Sequence, residues 1–515
     1  MAHIENIMVV GGGTSGWLTA AILARKFHQN PNRNIQVTLL ESSDIPTIGV
    51  GEGTFPTMLN TLQYIGIEES EFLKSCQATF KQGIKFVDWL KPPSGDQHSH
   101  YYHLFNPPVL ANGVDVTREW LAYEKDKPGY SYAVSPQAYI CDQNLAPKRV
   151  DTGDYRWKTK YAYHLDAGKF VELLKRFATE NLNVKHVIAT VGQVEQEPET
   201  GNISAVVCEQ GIRREADFFV DCTGFASLLI GKTLDSPFVD KSDVLFVDKA
   251  IAMQVPYLDE KQAIASHTIS TAHEAGWSWD IGLKNRRGIG YVYASNYTSG
   301  ERAEQVLRNY VGSQADNLDV KKISMRVGYR EECWRNNCVA IGFSGGFVEP
   351  LEATAISMVE TGATLLADQF PEDENAIPAI ATKYNQIFKL RWEKIVEFIK
   401  LHYCLSQRTD SQFWIDNVKS TSIPKALLEK INLWRYFPPV ENDFASRFEM
   451  FTLASYQYIL YGMEFKTELQ SAYLSGTRKE VAEMVFSKIH EQGSVALKDL
   501  PDHRELIETL NSSIR

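Results

Sequence analysis

The hydrophobic pattern at the start of the chain predicts a strand, a glycine turn, a helix and a second strand. Residues 7–10 form an apolar run rich in β-branched side chains, which is typical of a buried parallel strand. A glycine-rich turn follows at 11–16, and apolar residues at helical spacing over 17–27 predict a helix. A second apolar run, 35–40, ends in Glu41. The segment therefore predicts one strand–turn–helix–strand unit that closes with an acid.

The junction of an apolar strand with a glycine turn occurs twice more along the chain. It is found at residues 218–224 and 339–342, and the segment 356–370 has a helical pattern. Residues 245–256 alternate like an antiparallel strand, and the pattern beyond 378 is largely helical. These elements together predict an α/β fold without a simple linear domain boundary.

The composition is that of a globular protein with an acidic balance. The 515 residues carry 53 Lys and Arg against 64 Asp and Glu, which gives a formal net charge of −11. This balance argues against a nucleic-acid binder, whose charge is usually basic and clustered. We expect no membrane span, because the chain has no apolar run of roughly 18 residues. The start has no basic segment typical of a signal peptide, so we expect a cytoplasmic protein.

The cysteines give no sign of a disulfide framework or of a metal site. Seven of them are scattered along the chain, and no CxxC pair is present. Reduced, buried thiols are the better interpretation, and we expect no bound metal.

The first glycine turn fits a dinucleotide fingerprint, Gly11-x-Gly13-x-x-Gly16. Glycines at these positions allow the tight turn and the close approach of a pyrophosphate, and the helix N-terminus offers N–H groups to the phosphates. Glu41, at the end of the second strand, would accept hydrogen bonds from the adenosine ribose. The fingerprint alone is weak, but here the strand, the helix and the acid agree with it.

The arrangement favours FAD over NAD. A single N-terminal fingerprint combined with a late strand end at Asp221 is typical of one FAD bound by a discontinuous domain. A dehydrogenase would instead show a compact six-stranded unit and a separate catalytic domain. The loop at 49–54 is also rich in glycine and is a candidate to line the isoalloxazine ring. Taken alone, it would be read as a surface turn.

Five longer stretches make the chain resemble the flavin-dependent tryptophan halogenases. They are GGGTSGW (11–17), GVGEGT (49–54), ATFKQGIKFVDW (78–89), GWSWDIGL (276–283) and GFSGGFVEPLEATAI (342–356). Shorter matches such as YHLDAGKF (163–170) and DCTGF (221–225) support them. The paired tryptophans and the EPLE segment are more specific than the glycine fingerprint, because other flavin monooxygenases lack them.

The resemblance implies an FAD-binding Rossmann-like module of the GR2 type, interleaved with a largely helical substrate module. The FAD module is expected from residues 1–90, 155–240 and 325–370, the substrate module from 91–154, 241–324 and 371–460, and a peripheral helical extension from 461–515. The residues expected to hold FAD are Gly11, Gly13, Thr14, Ser15, Gly16, Glu41, Gly49, Val50, Gly51, Asp221, Gly342 and Ile356.

The resemblance also implies the chemistry. Reduced FAD, delivered by a separate NAD(P)H-dependent flavin reductase, would react with O2 and a halide ion to give hypohalous acid, which passes to a lysine beside a small aromatic substrate. In this family the lysine lies in a helix after the glycine loop, and here it is Lys81, with Lys85 at i+4 on the same helix face. A lysine held near the substrate carbon fixes which atom is attacked. A monomer or a homodimer is expected.

Glu352 matches the family's second essential residue, which orients the hypohalous acid or takes the proton from the ring. Thr354 and Ala355 match the positions whose backbone N–H groups hold the halide, a role that suits a helix N-terminus. Here the usual Glu-Ser-Thr-Gly is replaced by Glu352-Ala353-Thr354-Ala355. Because these changes alter the halide pocket, we hypothesise that bromide or iodide is used better than chloride.

Further matches concern shielding and substrate binding. Trp277 and Trp279 match residues that crowd the flavin, although paired tryptophans on one face of a strand are also common core residues. The proline that ends this signature is Gly282 here, which is expected to loosen the chain. His103, Phe105 and Tyr456 match substrate positions, where flat aromatic faces suit a π-rich ring.

Three readings stay open at this point. The leading one is an FADH2-dependent halogenase acting on an indole, a phenol or another electron-rich ring. The second is a flavin-dependent aromatic monooxygenase, and the third is a catalytically silent flavin-binding protein. Free tryptophan is not secured as the substrate, because no carboxylate for its ammonium group can be placed in the sequence.

Overall fold

The structure is a computed structural model of the 515-residue chain. The residues that it describes are 3–29, 35–45, 51–111, 114–123, 127–209, 211–444, 446, 448–469 and 479–512. The chain divides into two compact units, each built from three segments. The first unit comprises Met1–Ala78, Leu165–Lys241 and Met325–Trp392, and the second comprises Thr79–His164, Ser242–Ser324 and Glu393–Arg515.

A six-stranded sheet forms the centre of the first unit. In spatial order its strands are Lys185–Ile188, Gln36–Glu41, Asn6–Val10, Phe218–Asp221, Cys338–Ala340 and Trp334–Arg335. The first five strands are parallel and the last is antiparallel. Val10 lies opposite both Leu40 and Asp221, so the carboxyl ends of three strands meet at one edge. In an open α/β sheet this edge is where ligands bind.

Helices and smaller sheets complete the first unit. The helices are Thr14–His28, Thr57–Ile65, Glu69–Ser75, Ala167–Asn181 and Thr354–Asp368, with short helical turns at Gly224–Ala226, Leu228–Thr233, Gly342–Ser344, Leu351–Ala353 and Glu374–Ala376. The remaining strands are Gly51–Gly53, Val191–Gln196, Ile203–Cys208, Arg213–Glu215, Phe238–Asp240, Gly328–Arg330 and Gly346–Phe347. The β-branched and aromatic residues of the central strands are buried, which explains why these apolar runs form the sheet.

The second unit is built around a seven-stranded sheet. Its strands in spatial order are Lys321–Ser324, Lys249–Pro256, Arg286–Tyr293, Gly276–Gly282, Thr268–His273, Gly83–Val87 and His100–Leu104. All neighbours are antiparallel except Thr268–His273 and Gly83–Val87, which are parallel. Two short strands, Leu110–Ala111 and Val114–Asp115, pair with each other. The strand Thr79–Lys81 pairs antiparallel with the first part of the strand Ala162–Asp166.

The helices of the second unit are mostly short. They are Thr117–Ala122, Tyr130–Val134, Gln137–Asp142, Gly300–Val311, Gln412–Asn417, Lys425–Trp434, Leu453–Gly462, Lys479–Asp499 and His503–Ser512, with short helical turns at Ser313–Asn317, Ser420–Ser422 and Glu441–Asp443. The long helix Ile377–Cys404 begins in the first unit and ends in the second.

The predicted α/β fold class is confirmed, but the second module differs from the largely helical one expected. It contains the seven-stranded sheet as well as helices. Strands such as Gly276–Gly282 and Arg286–Tyr293 are buried but contain glycine and charged residues, which interrupt the apolar pattern that would have indicated them. The boundaries also differ: the first unit ends at Ala78 rather than near residue 90, and continues to Trp392 rather than 370.

The C-terminal segment, expected to be a peripheral extension, belongs to the second unit. His503, Leu506 and Ile507 are fully buried, and Ala146 donates its N–H to the Pro501 carbonyl oxygen at 3.0 Å. The physical reason is that the helix His503–Ser512 buries Leu506 and Ile507 together with the hydrogen-bonded side chains of His503 and Arg504.

Two features bear on the expectations from composition. The seven cysteines are free thiols, and six of them are buried. Within the described ranges, none of the helices combines the length and apolar character needed to span a bilayer.

Candidate active site

The glycine loop, residues 11–16, makes a tight turn between the first strand and the helix Thr14–His28. Gly11 has a φ of +115°, and a Cβ there would lie 2.3 Å from the Cys222 carbonyl oxygen. A Cβ at Gly16 would lie 1.8 Å from the carbonyl oxygen of Gly11. Because the obstructing atoms are backbone, both positions require glycine.

The other side of this loop is open. A Cβ built on Gly13 meets no described atom within 4 Å. Gly13 is also the N-cap of the helix, and no side chain in the described part of the chain caps it there. The first N–H groups of the helix are therefore available to an anion such as a pyrophosphate. Thr14 and Ser15, the first two helical residues, are placed at this end.

Glu41 lies against the glycine loop, as the sequence suggests. A Cβ on Gly12 would come within 1.6 Å of Glu41 Oε2. The other oxygen, Oε1, accepts from Lys175 Nζ at 2.8 Å and lies 2.8 Å from His186 Nε2. These two partners hold the carboxylate beside the position expected for a ribose. The sequence gives no sign of either partner, because they come from a distant helix and strand and have no local motif.

Asp221 accepts hydrogen bonds from the loop that follows its strand and so fixes the conformation of that loop. Its Oδ1 accepts from the N–H and hydroxyl of Thr223, and its Oδ2 accepts from the N–H groups of Leu229 and Ile230, both at 2.8 Å. The buried carboxylate therefore shapes the DCTGF turn beside Gly11, and its four acceptor contacts are made within the protein.

The remaining predicted FAD residues lie in the same unit. Gly342 has a φ of +79°, and a Cβ there would lie 2.1 Å from Ser15 Oγ, so this strand end packs closely on the first helix. Ile356 is buried in the helix Thr354–Asp368. Gly51 begins the short strand Gly51–Gly53. Gly49 and Val50 lie outside the described residues.

The turn before the helix Thr354–Asp368 has an unusual backbone. Glu352 and Ala353 have φ values of +67° and +54°, and Glu352 is 3% exposed. Non-glycine residues in the left-handed region cost about 1 kcal/mol or more each and concentrate at functional sites. The helix that begins here has no side-chain cap among the described residues, which leaves the N–H groups of Thr354 and Ala355 suited to an anion.

Two acids of the first unit, missed by sequence analysis, have strongly raised pKa values. Burial raises the pKa of Glu360 to about 7, although its carboxylate accepts from the hydroxyls of Thr57 at 3.0 Å and Thr61 at 2.5 Å. Burial, assisted by the charge of Asp166, raises the pKa of Glu52 to about 7 as well. Glu52 belongs to the glycine-rich loop at 49–54, the segment expected to line the flavin.

Lys81 belongs to the second unit and lies on the strand Thr79–Lys81, so the predicted helix is wrong. Lys85 lies on the following strand, 3.4 Å from Asp142 Oδ1, and does not share a helix face with Lys81. Gly83, between the two lysines, pairs with Leu104 in the neighbouring strand. A Cβ on Gly83 would lie 2.4 Å from the His103 carbonyl oxygen, so the two strands approach closely only because this residue is glycine.

The side chain of Lys81 is 1% exposed, and its Nζ lies 5.4 Å from the centre of the Phe105 ring. In the ladder Lys81 faces Ala162, and Thr79 faces His164. Directly paired residues point to the same side of a ladder, so Lys81 shares its face with His164. Burial, and then the charge of Lys81, hold the pKa of His164 well below its usual range. His164 was not singled out from sequence, although its segment carries part of the resemblance.

Two of the three predicted substrate residues, His103 and Tyr456, lie in a buried aromatic cluster of the second unit, whereas Phe105 lies beneath Lys81. The His103 ring is 5.8 Å from Phe398, and the Tyr456 ring is 4.9 Å from the same phenylalanine. Phe451 stacks on Phe398 at 3.8 Å. The structure therefore brings His103 and Tyr456 together through Phe398, a residue that the sequence did not suggest because it lies in the interior of a long helix.

Trp277 and Trp279 lie two residues apart on the strand Gly276–Gly282, with ring centres 6.4 Å apart. Trp279 packs on the backbone of Gly290, where a Cβ would lie 2.2 Å from the indole. Gly282, expected to loosen this strand, pairs with Arg287, and its carbonyl oxygen accepts from the Thr79 hydroxyl at 2.5 Å. The segment is thus firmly held beside the strand of Lys81.

Comparison with known proteins places the chain in one family. The family model described as tryptophan halogenase matches residues 6–477. The chain belongs to this family. It is therefore an enzyme of the flavin-dependent halogenase class, as the sequence motifs suggested, and its family uses reduced FAD, O2 and a halide.

The similarity extends over whole chains of this halogenase family. The chain is 33% identical over 530 residues to tryptophan 6-halogenase SttH of Streptomyces toxytricini, with 99% of each chain covered. It is 32% identical to tryptophan 7-halogenase RebH of Lentzea aerocolonigenes, with 98% of each covered. The structure is similar to the tryptophan halogenase of Shewanella frigidimarina, with a TM-score of 0.93 at 39% identity, covering 99% of this chain and 98% of that one.

Proposed function

We propose that this halogenase transfers an electrophilic halogen to the indole ring of tryptophan or of a tryptophan-like arene, with Lys81 delivering the halogen and Glu352 assisting. The observation that carries the proposal is Lys81 itself, a buried lysine over the face of Phe105, in the unit that holds the aromatic cluster. The names of the relatives, tryptophan 6-halogenase and tryptophan 7-halogenase, support an indole as the substrate.

Several features of the first unit support FAD binding there. The open Gly13 side and the uncapped helix end suit the pyrophosphate, and the anchored Glu41 suits the adenosine ribose. When bound, reduced FAD supplies, with O2 and a halide, the hypohalous acid. The sequence has no second nucleotide fingerprint for a nicotinamide, so a separate NAD(P)H-dependent flavin reductase would provide the reduced flavin.

Lys81 would activate the hypohalous acid by donating a hydrogen bond to its oxygen. This polarises the oxygen–halogen bond, so the ring carbon attacks the halogen while the oxygen leaves as water with a proton from the ammonium group. Burial excludes competing water, and the small Ala162 opposite Lys81 leaves the side chain space on its own face. The position of the ammonium group then selects the ring carbon.

Glu352 would accept the proton that leaves the halogenated ring. The backbone N–H groups of Thr354 and Ala355 would hold the halide at the start of their helix. Because Ala353 and Ala355 replace the serine and glycine usual in the family, we propose that bromide or iodide is preferred to chloride. Trp277 and Trp279 would keep organic substrates from the flavin, and His103, Phe105 and Tyr456 would contact the substrate.

The test is product analysis with the complete system. The protein is incubated with FAD, NADH, a flavin reductase, O2 and equal chloride, bromide and iodide over tryptophan, indole and phenol. We expect singly halogenated tryptophan or indole, with bromine or iodine ahead of chlorine. Lys81→Met should lower the product rate by about 100-fold or more. Lys85→Met, which removes a lysine on the neighbouring strand, should retain the wild-type rate.

Other outcomes would contradict the proposal in distinct ways. A product that gains oxygen instead of halogen would indicate an aromatic monooxygenase. Equal product from the wild type and Lys81→Met would remove Lys81 from the mechanism. FAD binding without any turnover would indicate a silent flavoprotein, and a clear preference for chloride would remove only the halide proposal.

A further inference from the structure

The last helix of the chain places a buried imidazole against the strand of Lys81. His503 is fully buried, and its Nε2 lies 2.9 Å from the backbone nitrogen of Phe80, the residue before Lys81. Its Nδ1 lies 3.1 Å from the Ile264 carbonyl oxygen. Because a backbone N–H only donates and a carbonyl oxygen only accepts, Nε2 must accept and Nδ1 must carry the proton.

This contact matters because the strand of Lys81 is only three residues long. A strand this short has few ladder hydrogen bonds to fix it, so side-chain anchors set its position. The hydroxyl of Thr79 anchors one end to the Gly282 carbonyl oxygen, and His503 anchors the middle at Phe80. The two anchors lie close together. Thr79 bonds to Gly282 and His503 bonds to Ile264, and a Cβ on Gly282 would lie 2.9 Å from Ile264 Cγ2.

The helix that carries His503 is itself held firmly. The His503 N–H donates to the Asn144 carbonyl oxygen at 3.0 Å. The guanidinium group of Arg504 donates to the carbonyl oxygens of Gln262 and Lys284. Burial lowers the pKa of His503 to about 4, so its Nε2 remains an acceptor at neutral pH. The imidazole is therefore a fixed support rather than a mobile side chain.

We propose that His503 is a positioning residue that sets the location of the Lys81 ammonium group through the Phe80 backbone. The inference rests on the proposed role of Lys81 as the halogen donor. Through His503, the C-terminal helix would then influence which ring carbon is halogenated. His503 reaches Lys81 only through the backbone, so it takes no part in proton or halogen transfer itself.

The experiment compares two substitutions of one residue. His503→Phe keeps an aromatic ring but removes the acceptor for the Phe80 N–H, whereas His503→Gln keeps an acceptor of similar reach. His490→Phe, at an exposed position on the preceding helix, is the matched control. Each variant is assayed for halogenated product, for the ratio of product isomers, for hypohalous acid trapped by a scavenger, and for FAD affinity.

We expect His503→Phe to lower the product rate by about 10-fold to 100-fold, because a misplacement of about 1 Å at the reacting group has this effect. The isomer ratio should also change, since the lysine then addresses a different carbon. Hypohalous acid release and FAD affinity should remain at wild-type levels. His503→Gln should restore both rate and isomer ratio, and His490→Phe should change neither.

Wild-type rate and isomer ratio in His503→Phe would overturn the inference. So would a lower rate that follows only a smaller folded fraction, with the isomer ratio unchanged, because that is a purely structural effect. If Lys81→Met also retains full product, the proposed function fails instead. The two failures are therefore distinguishable in one set of assays.

Discussion

The first unit buries two carboxyl groups with strongly raised pKa values, and the second unit buries several imidazoles with lowered pKa values. In the first unit, burial raises the pKa of the carboxyl groups of Glu360 and Glu52 to about 7. In the second unit, burial lowers the pKa of His267 to about 3 and of His503 to about 4, and that of His164 lies well below its usual range. Burial favours the neutral form everywhere, but a neutral acid has kept its proton while a neutral base has lost it.

These two sets of groups therefore respond to pH in opposite directions. A carboxyl group with a raised pKa stabilises the folded state below its ordinary value of 4.5, and this contribution is lost as the pH rises through 7. An imidazole with a lowered pKa stabilises the folded state above its ordinary value of 6.5, and this contribution is lost as the pH falls towards 4. The same desolvation therefore makes the carboxyl groups of Glu360 and Glu52 stabilising in acid, and it makes the imidazoles of His267 and His503 destabilising there.

The largest expected effect is the selective opening of the second unit in acid. His267 and His503 are buried imidazoles of the second unit, and each contributes about 3 kcal/mol or more of stability at neutral pH, because its pKa is lowered to about 3 or 4. Lowering the pH from 7 to 4.5 should expose the amides of the strands Thr79–Lys81 and Thr268–His273 before those of Asn6–Val10 and Phe218–Asp221. Hydrogen exchange, corrected for the intrinsic rate at each pH, measures this order.

Simultaneous loss of protection in both sets of strands, or earlier loss in the first unit, would contradict the comparison. The wild-type protein at pH 7 provides the reference protection for each strand. Reversal on return to pH 7 separates a titration of the imidazoles from irreversible aggregation.

A smaller effect of opposite sign is expected for Glu360→Gln. The buried carboxyl group should lose about 3 kcal/mol of its contribution between pH 4.5 and 7, because its pKa is raised to about 7. The variant, which cannot titrate, should therefore gain that amount relative to the wild type over the same pH range. Urea unfolding at a series of pH values measures the difference. Glu71→Gln, which removes a surface carboxylate paired with Arg176, should leave the pH dependence of the free energy of unfolding unchanged. If the curve for Glu360→Gln ran parallel to that of the wild type, the pKa of this carboxyl group would not be raised in the folded protein.

The first unit could be predicted well from sequence because its site is built from backbone. Gly11 and Gly16 are required by backbone contacts within a short segment, so a local motif records them. The parallel strands were also visible, because strands buried on both faces are continuous apolar runs. Glu41 was predicted from its place at a strand end, but its partners Lys175 and His186 were not.

The second unit could not be predicted to the same depth because its site depends on distant side chains. The family motif located Lys81, but its strand is specified by Ala162 and by Gly83 rather than by local helical spacing. His164 and His503 leave no periodic signal, since isolated histidines in apolar surroundings are common in protein cores. A single sequence does not show which distant segments pair as strands or contact each other through side chains.

The smallest expected effect is on FAD affinity and concerns the ion pair of Lys175 with Glu41. Lys175 is partly exposed, so solvent weakens this ion pair. Lys175 and Arg176 are neighbours on one helix; Lys175 binds Glu41 at 2.8 Å and Arg176 binds Glu71 at 2.6 Å. Lys175→Met should weaken FAD binding by only about 2-fold to 5-fold, because a half-exposed ion pair contributes about 1 kcal/mol at most. FMN, which lacks the adenosine ribose, should bind equally well to the variant and the wild type. As the control, Arg176→Met should leave the affinity for both flavins unchanged. If Lys175→Met weakened the binding of FAD and FMN equally, Lys175 would stabilise the unit and would not orient Glu41. Fluorescence titration with the two flavins distinguishes these cases, since a loss confined to FAD arises only where the carboxylate meets the part of the cofactor that FMN does not have.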